Sequence, residues 1–486
     1  MKFNKLFLYI IFPFILGGCN DWLSVAPESN INEEDLFAKE DGYQVALNGI
    51  YKTMAATNMY GQEMLYGAVE VLAHSYSSSD LSSTYSSIYN SKFTVANVKT
   101  LFQDMWSSTY TAIANCNNLI ENIKNEPVSQ FTEGEIGKNL ILGEAYALRG
   151  YLHFDMLRLF APSKEADDGK TYIPYFDRYK STFEPHLTVD QTLEKIKTDL
   201  LMAKDLVATF DTIPEHKGWL HPILGIEGGG TSGNTLPDNL FYAYRRYRMN
   251  YYAIVATLAR VYSWAGNLKE AYDAATEVIN ARFDGENYFL LQNGAGFPEN
   301  HKLYKEVIFA LSNQKLIENY KTYLPTSTED GTNRNGKLCI NTYQVEWYSW
   351  SETEDTRFLT FLGTYQYKSY PLKYTSQTGN SYAEDAIPMI RISEMHYIAS
   401  EYLYKNNQQE EAFKMIDKVR NARGLISNSI KDNIYDEASF KKELIKEVHK
   451  DLMVEGQAFY WYKKFNQTLS RSTVFVIPTP DNENIN

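Results

Sequence analysis

The amino-acid sequence predicts a mainly α-helical fold: a scaffold of tetratricopeptide-like helical hairpins that carries long irregular loops and a few short β-strands. Apolar residues recur at three- and four-residue steps through several long segments, as on one face of an amphipathic helix. A two-helix pattern occurs twice in the chain, which indicates a helical repeat. A stretch from about 282 to 386 is rich in Gly, Asn, Thr and Tyr and has no helical period.

The helical period begins near the start of the chain and returns throughout it. Leu36, Leu47 and Ile50 share one face of the first segment. Arg391 and Glu394 are three residues apart on a later predicted helix, so we expect them to pair with each other. The predicted helices are 34–55, 98–124, 138–160, 188–208, 248–265, 268–281, 389–405, 408–422 and 437–465. The other predictions are two short strands, 307–311 and 338–343, and two further irregular segments, 74–91 and 211–247.

The repeated pattern consists of a helix with small residues, a short polar turn and a second helix. In the first copy residues 258–262 precede the turn Gly266-Asn267, and in the second copy residues 398–402 precede Asn406-Asn407. The two copies are offset by 140 residues. Small residues at these positions let two antiparallel helices approach closely, which is the packing of a tetratricopeptide unit.

Composition excludes several classes of protein. With 44% hydrophobic and 22% charged residues over 486 positions, the chain is neither disordered nor fibrous. A net charge of -13 disfavours nucleic acid as a partner, because phosphates are bound by positive surfaces. Three cysteines are too few for a disulfide scaffold or a cysteine-based zinc module. The unusual feature is the aromatic content, with 38 Tyr and 7 Trp.

The N-terminal residues have the layout of a secretory signal. Lys2 and Lys5 precede an apolar run over 6–16, which is too short to remain as a membrane span, and Gly17-Gly18-Cys19 follows. We predict a lipoprotein signal peptide at 1–18, a lipid on Cys19 and a single mature domain over 19–486, anchored to the membrane and not embedded in it. The alternative is a plain signal peptide with a chance cysteine. Cys116 is expected to be a buried thiol, and a disulfide between it and Cys339 is not favoured.

No motif indicates catalysis, a cofactor or a metal site. Gly228–Gly233 has the spacing G-x-G-x-x-G, but Asn234–Pro237 follows it where a dinucleotide fingerprint would open a helix. Asp330–Gly336 resembles a calcium loop but places Thr342 where a bidentate Glu is needed. The eight histidines show no zinc-ligand spacing, and no nucleophile stands beside a base. We therefore predict a protein that is not an enzyme and holds no cofactor or metal.

Aromatic residues in the irregular segments are the best candidates for a binding site. The face of such a ring packs on the C–H surface of a sugar while its hydroxyl or indole N–H bonds to sugar oxygens. The competing interpretation for any one residue is that it packs on the scaffold, since Tyr and Trp bury large areas. Trp347 and Trp350 are the strongest candidates because they lie in the longest loop. The full candidate set is Trp347, Trp350, Tyr348, Tyr323, Tyr320, Tyr85, Tyr76 and Trp219.

These features together resemble the SusD/RagB family of outer-membrane lipoproteins of Bacteroidetes. The resemblance is carried, in order, by Cys19–Pro27, Ala46–Tyr51, Gly143–Tyr151, Arg248 with Ala256–Tyr262, Ile390–Glu394, Glu455–Gln457 and Ile477–Pro480. The chain departs from the family pattern at Ala161, where Gly is usual, and at Ala458 and Trp461, where Arg and Asp are usual. These positions belong to the helical scaffold, so the departures concern packing.

The resemblance implies a SusD-like fold, a lipid anchor facing the cell exterior and partnership with a SusC-like TonB-dependent transporter. It implies that the protein binds nutrient oligosaccharides and delivers them to that transporter; peptide uptake is the alternative. Family ligand residues form no fixed motif, so only regions transfer: the early loop and the loops that follow the first repeat. A surface hydrolase and a protein-binding adaptor are the competing classes, and no residue pattern favours either.

Overall fold

A computed structural model describes residues 32–227, 235–325, 335–341, 354–365, 367–378, 383–470 and 473–484. The predicted signal peptide and Cys19 lie outside these residues, as do Trp347, Tyr348 and Trp350. Within them the chain is mainly helical, as the sequence predicts. The long helices are α2 (Glu40–Met54), α5 (Ala96–Lys124), α6 (Gly134–Phe160), α7 (Val189–Asp211), α8 (Tyr251–Ala265), α9 (Leu268–Ile279), α12 (Ile392–Lys405), α13 (Gln409–Ala422) and α14 (Glu437–Asp451).

Short elements connect these helices. The short helices are α1 (Glu33–Leu36), α3 (Ala68–Leu72), α4 (Ser83–Tyr89), α10 (Leu316–Lys321), α11 (Thr356–Thr360) and α15 (Ala458–Lys464). The described strands form antiparallel pairs: β1 (Thr171–Pro174) with β2 (His186–Thr188), β3 (Arg282–Phe283) with β4 (Glu286–Asn287), β5 (Val307–Ser312) with β8 (Ala386–Arg391), and β6 (Leu362–Tyr365) with β7 (Lys368–Pro371). Each of these described sheets has only two strands, so the scaffold of the fold consists of the packed helices.

The last predicted helix, 437–465, is two helices separated by a buried turn. Val454 and Gly456 in this turn have positive φ angles of 59° and 67°. A Cβ atom on Gly456 would lie 2.1 Å from the carbonyl oxygen of Met64, so only glycine fits there. The turn therefore packs against the segment that follows α2, a contact that helical periodicity does not report.

The predicted helix 389–405 begins later than expected. All six residues of Ala386–Arg391 are buried in strand β8, and α12 starts at Ile392. β8 pairs with β5, which confirms the predicted strand at 307–311. A short, continuously apolar run fits a buried strand and a buried helix equally well, which explains the error.

The predicted repeat is confirmed as two helical hairpins that pack side by side. α8 and α9 form the first hairpin, α12 and α13 form the second, and α9 packs against α12. The rings of Tyr272 and Tyr402 lie 4.8 Å apart between them. Arg260 of α8 donates from Nε to Oε1 of Glu394 on α12 at 2.7 Å. Glu394 thus pairs across the hairpins.

The expected pairing of Arg391 with Glu394 is wrong, because Arg391 is the last residue of β8 and is not on the helix. Its guanidinium lies within a buried ion network, 2.7 Å from Glu306, 3.0 Å from Asp451 and 2.8 Å from Glu455. Each of these charges has a partner of opposite sign. Removing one partner would leave a buried charge uncompensated and would destabilise the fold by about 3 to 5 kcal/mol. It ties the C-terminal turn to the irregular stretch from about 282 to 386, which we call the variable region.

Cys116 and Cys339 are both buried, and no disulfide joins them. Burial raises the pKa of the Cys116 thiol to about 12, so this thiol is an inert packing group, as expected.

Candidate functional site

The early loop region, residues 55–95 between α2 and α5, meets the variable region edge to edge. Tyr76 forms an isolated antiparallel bridge with Ile340. The backbone N–H of Ser77 donates to the carbonyl of Cys339 at 2.8 Å, and that of Lys337 donates to the carbonyl of Asp80 at 2.9 Å. The fold therefore joins the two loop regions from which aromatic ligand residues are expected.

Several of the predicted aromatic residues form a buried tyrosine cluster beneath this junction. Tyr76 and Tyr320 are completely buried, and Tyr85 is 5% exposed. The Tyr76 hydroxyl donates to the carbonyl of Tyr66 at 2.7 Å, and the Tyr320 hydroxyl donates to the carbonyl of Pro371 at 2.9 Å. Burial raises the phenol pKa of Tyr76, Tyr85 and Tyr320 well above its ordinary value. Neither Tyr76 nor Tyr320 offers a ring face to a ligand in this arrangement.

A polar groove of about 480 Å³ lies above the tyrosine cluster. Tyr323 is the candidate that lines it, and its half-buried ring lies 6.4 Å from that of Tyr85. Apart from this ring and Leu101, the described lining consists of amide, hydroxyl and carboxylate side chains. The lining residues are Thr57, Asn58, Gln62, Glu63, Thr84, Asn97, Thr100, Leu101, Asp104, Asn319, Thr322 and Tyr323.

Glu63 is held rigidly in the wall of the groove. Its Oε1 accepts from Gln62 Nε2 at 2.6 Å, and both its oxygens accept from the Tyr85 hydroxyl at 3.1 Å. The backbone N–H of Ala68 donates to Oε2 at 3.1 Å. Burial raises the pKa of Glu63 above its usual value, against the effect of these donors. Tyr85 thus contributes to the groove through its hydroxyl and not through its ring face.

Amide and hydroxyl groups elsewhere in the lining are also held by hydrogen bonds. Asn97 Nδ2 donates to Thr84 Oγ1 at 2.6 Å, and Asn58 Nδ2 donates to Ser108 Oγ. Sequence reasoning missed these residues because isolated polar side chains outside an aromatic context carry no motif. The one available signal was their density: Thr57, Asn58, Gln62 and Glu63 fall within seven residues directly after α2.

The remaining candidate residues lie elsewhere. Trp219 stacks on the His216 ring at 4.2 Å, and Phe210 at the end of α7 lies 5.9 Å away. It is half-buried and does not line the groove. Asn341, the last described residue before the three remaining candidates, donates from its N–H to the carbonyl of Ser75 at 3.1 Å. Trp347, Tyr348 and Trp350 lie outside the described residues, so their role in ligand binding stays a prediction.

A second cavity of about 640 Å³ runs along the exposed side of α2. Arg248 lines it, stacked 4.1 Å from the Phe241 ring and bonded at 2.9 Å to Asn48 Oδ1. Asp41 and Lys52 add one charge of each sign. This cavity joins α2 to the 239–248 segment and contains none of the predicted site residues, so we take the groove as the candidate site.

The described residues contain no cluster of three or more His, Cys, Asp or Glu side chains able to hold a metal ion. No described helix is both long enough and apolar enough to cross a membrane.

Comparison with known proteins gives matches over most of the chain. Residues 21–215 match a family model described as starch-binding and associating with the outer membrane, and residues 287–470 match the model of the SusD family. A SusD-like protein of Formosa agariphila is 21% identical, over 95% of this chain and 91% of the relative. The first match includes the early loop region, and the second includes most of the 282–386 stretch.

Solved structures share this fold. A SusD superfamily protein from Bacteroides thetaiotaomicron VPI-5482 superimposes with a TM-score of 0.66 at 22% identity, covering 88% of this chain and 89% of that one. A SusD-like carbohydrate binding protein from Bacteroides vulgatus ATCC 8482 gives a TM-score of 0.61 at 16% identity, covering 89% and 84%. At these identities the similarity shows the fold alone.

Proposed function

Because the chain belongs to the SusD/RagB family of carbohydrate-binding, outer-membrane-associated proteins, we propose that it is a lipid-anchored surface protein that binds nutrient oligosaccharides and delivers them to a SusC-like TonB-dependent transporter. The observation that carries the proposal is the groove at the junction of the two loop regions. Its lining is polar, rigid and carries one half-exposed aromatic ring.

The lining chemistry matches that of a sugar. Each sugar hydroxyl is both a donor and an acceptor, and amide side chains such as Asn58 and Asn97 also offer both roles. Glu63 is an acceptor whose position is set before the ligand arrives, so less ordering is needed on binding. The ring of Tyr323 supplies an apolar face beside these polar groups.

A binding panel of neutral oligosaccharides and peptides against the soluble form, residues 20–486, tests the ligand class by calorimetry. We expect an oligosaccharide to bind and Tyr323→Ala to weaken that binding by about three- to tenfold, the range of one aromatic contact. Tyr435→Ala is the matched control, because that side chain is 87% exposed and far along the chain. Equal losses in both variants would remove Tyr323 from the site. A peptide as the sole ligand would favour the alternative form of uptake.

The strongest sequence candidates need their own variant. Trp347→Ala combined with Trp350→Ala is expected to weaken binding of the same oligosaccharide. Unchanged affinity would remove both residues from the site while leaving the proposed role of the groove intact.

The non-enzymatic part of the proposal predicts that the ligand is recovered intact. Glu63 and Asp104 lie in one groove, but the described donors to Glu63 already occupy both of its oxygens. In these contacts both oxygens of Glu63 act as acceptors, whereas a general acid must present a proton to the leaving group. Chromatography after prolonged incubation of the pure protein with the bound oligosaccharide is the measurement, and shortened products would identify a hydrolase.

The transport role predicts a large membrane partner. Affinity purification of the full-length lipoprotein from detergent-solubilised membranes should recover a TonB-dependent barrel protein in stoichiometric amount. Recovery of soluble proteins alone would favour the adaptor class.

A further inference from the structure

Every charged side chain among the described residues that line the groove is negative. Glu63 and Asp104 are both acidic, and the described lining contains no Lys or Arg. Of the neighbouring lysines, Lys99 on α5 forms an ion pair with Asp481, with 2.9 Å between its Nζ and the Asp481 Oδ2. Lys337 donates to the backbone carbonyl of Thr322 at 3.2 Å, at the edge of the groove.

The whole chain has a net charge of -13, so an approaching anion meets a field of the same sign.

The two acidic groups differ in how they act on a ligand. Glu63 is 9% exposed and held by Gln62 and Tyr85, so it cannot swing away from an incoming anion. Asp104 is exposed on α5, where its charge is screened by salt. A ligand carboxylate or sulfate in the groove would therefore meet two acidic side chains in the described lining, with the Lys337 ammonium only at the edge, whereas a ligand ammonium group would be attracted.

We propose that the groove selects neutral or amino-bearing oligosaccharides and rejects those that carry carboxylate or sulfate groups. This inference rests on the proposed sugar-binding function and names the substrate class of the same site. The discrimination follows from charge, so it is independent of which sugar backbone fits the groove.

Pairs of ligands that share a sugar backbone and differ in one kind of charged substituent test the inference. The probes are methyl-esterified and free oligogalacturonate, dextran and dextran sulfate, and chitosan and chitin oligosaccharides, each titrated against residues 20–486. For any backbone that binds, we expect the anionic member to bind more weakly than its neutral partner, and the amino-bearing chitosan to bind at least as tightly as chitin. The difference in affinity between the anionic and the neutral ligand should become smaller as salt rises from about 0.01 M to about 1 M, because the screening length falls from about 30 Å to about 3 Å.

Asp104→Asn should raise the affinity for the anionic member relative to the neutral one by about two- to fivefold, the size of one exposed charge interaction. Glu121→Gln is the matched control, because it removes the same charge from an exposed position of the same helix outside the groove. Binding of an anionic member as tight as that of its neutral partner, with no response to Asp104→Asn, would overturn the inference and leave the uptake proposal standing. Binding of no oligosaccharide at all would overturn both.

Discussion

Glu70 lies in a buried polar cluster that joins the early loop region to the C-terminal part of the chain. Its Oε2 accepts from Ser75 Oγ, which lies 2.8 Å from His449 Nε2, and its Oε1 accepts from the N–H of Gly456 at 2.9 Å. Burial raises the pKa of Glu70 to about 7 and lowers that of His449 to about 3. The histidine is therefore neutral near pH 7, and Glu70 is the group in this cluster that changes charge there.

Replacing Glu70 with Gln should remove a pH dependence of stability. The folded carboxyl titrates near 7 and the unfolded one near about 4.3, so between these values the folded protein holds a proton that the unfolded chain has released. Stability from this group is thus fully present below the unfolded pKa and is lost as the pH rises through the folded pKa. From pH 5 to pH 8 the wild type should lose about 2 to 3 kcal/mol relative to Glu70→Gln.

Urea unfolding of both proteins at several pH values measures this difference. Glu121→Gln provides the reference for neutralising an exposed glutamate. A constant gap between wild type and Glu70→Gln across the range would show that Glu70 is charged in the folded state throughout.

Individual site residues were the least predictable part of the molecule. The sequence places Tyr76, Tyr85 and Tyr320 in irregular segments, where an aromatic ring has no obvious surface to cover. Tertiary contacts decide their burial: the Tyr76 hydroxyl donates to the Tyr66 carbonyl, and the Tyr76 backbone forms a bridge with Ile340. Glu63 gave only a weak signal, the run of polar residues over 57–63, because polar residues in a loop are ordinarily expected to face water. Neither fact can be read without the tertiary contacts.

At the scale of elements, the close approach of α6 to α7 depends on glycine. A Cβ atom on Gly143 would lie 2.7 Å from Val207 Cγ2 and 3.0 Å from Leu206 Cβ. α6 is buried on most of its sides, so it cannot shift to relieve the contact without disturbing its other neighbours.

Gly143→Ala is therefore expected to destabilise the protein by about 1 to 3 kcal/mol, the usual cost of overpacking a core. Gly49→Ala on α2 is the matched control. No atom lies within 4 Å of the added methyl there, so helix propensity alone should stabilise by up to about 1 kcal/mol. Chemical denaturation of both variants decides the matter, and a Gly143→Ala protein as stable as wild type would show that the two helices move apart freely.

Elements were predictable where their pattern is local. The two hairpins followed from small residues and turns at matching spacing, and Gly266 closes the first with a φ of 78°. The errors fall where a distant segment decides the local structure: β8 is a strand because β5 pairs with it, and α14 ends because the turn at Gly456 packs against Met64. Periodicity contains no information about such partners.

At the scale of the whole molecule, one apolar core cluster includes residues from Phe37 to Ile477. The family match covers both the N-terminal and C-terminal halves of this cluster. The anchoring of the molecule is a separate question, because the predicted lipid attachment at Cys19 lies outside the described residues. That attachment decides whether the groove works at a membrane surface, next to a transporter.

Expression of the full chain in a bacterium with lipoprotein export, with labelled palmitate, tests the anchor. The lipid is carried on a cysteine thiol, and Cys116 and Cys339 are both completely buried in the folded protein. Cys19→Ser should therefore abolish the label and move the protein from the membrane fraction to the soluble fraction, because the predicted anchor is the lipid on that cysteine. Cys116→Ala is the matched control and should keep both label and membrane location. A labelled Cys19→Ser protein, or an unlabelled wild type, would reduce residues 1–18 to an ordinary secretion signal followed by a chance cysteine.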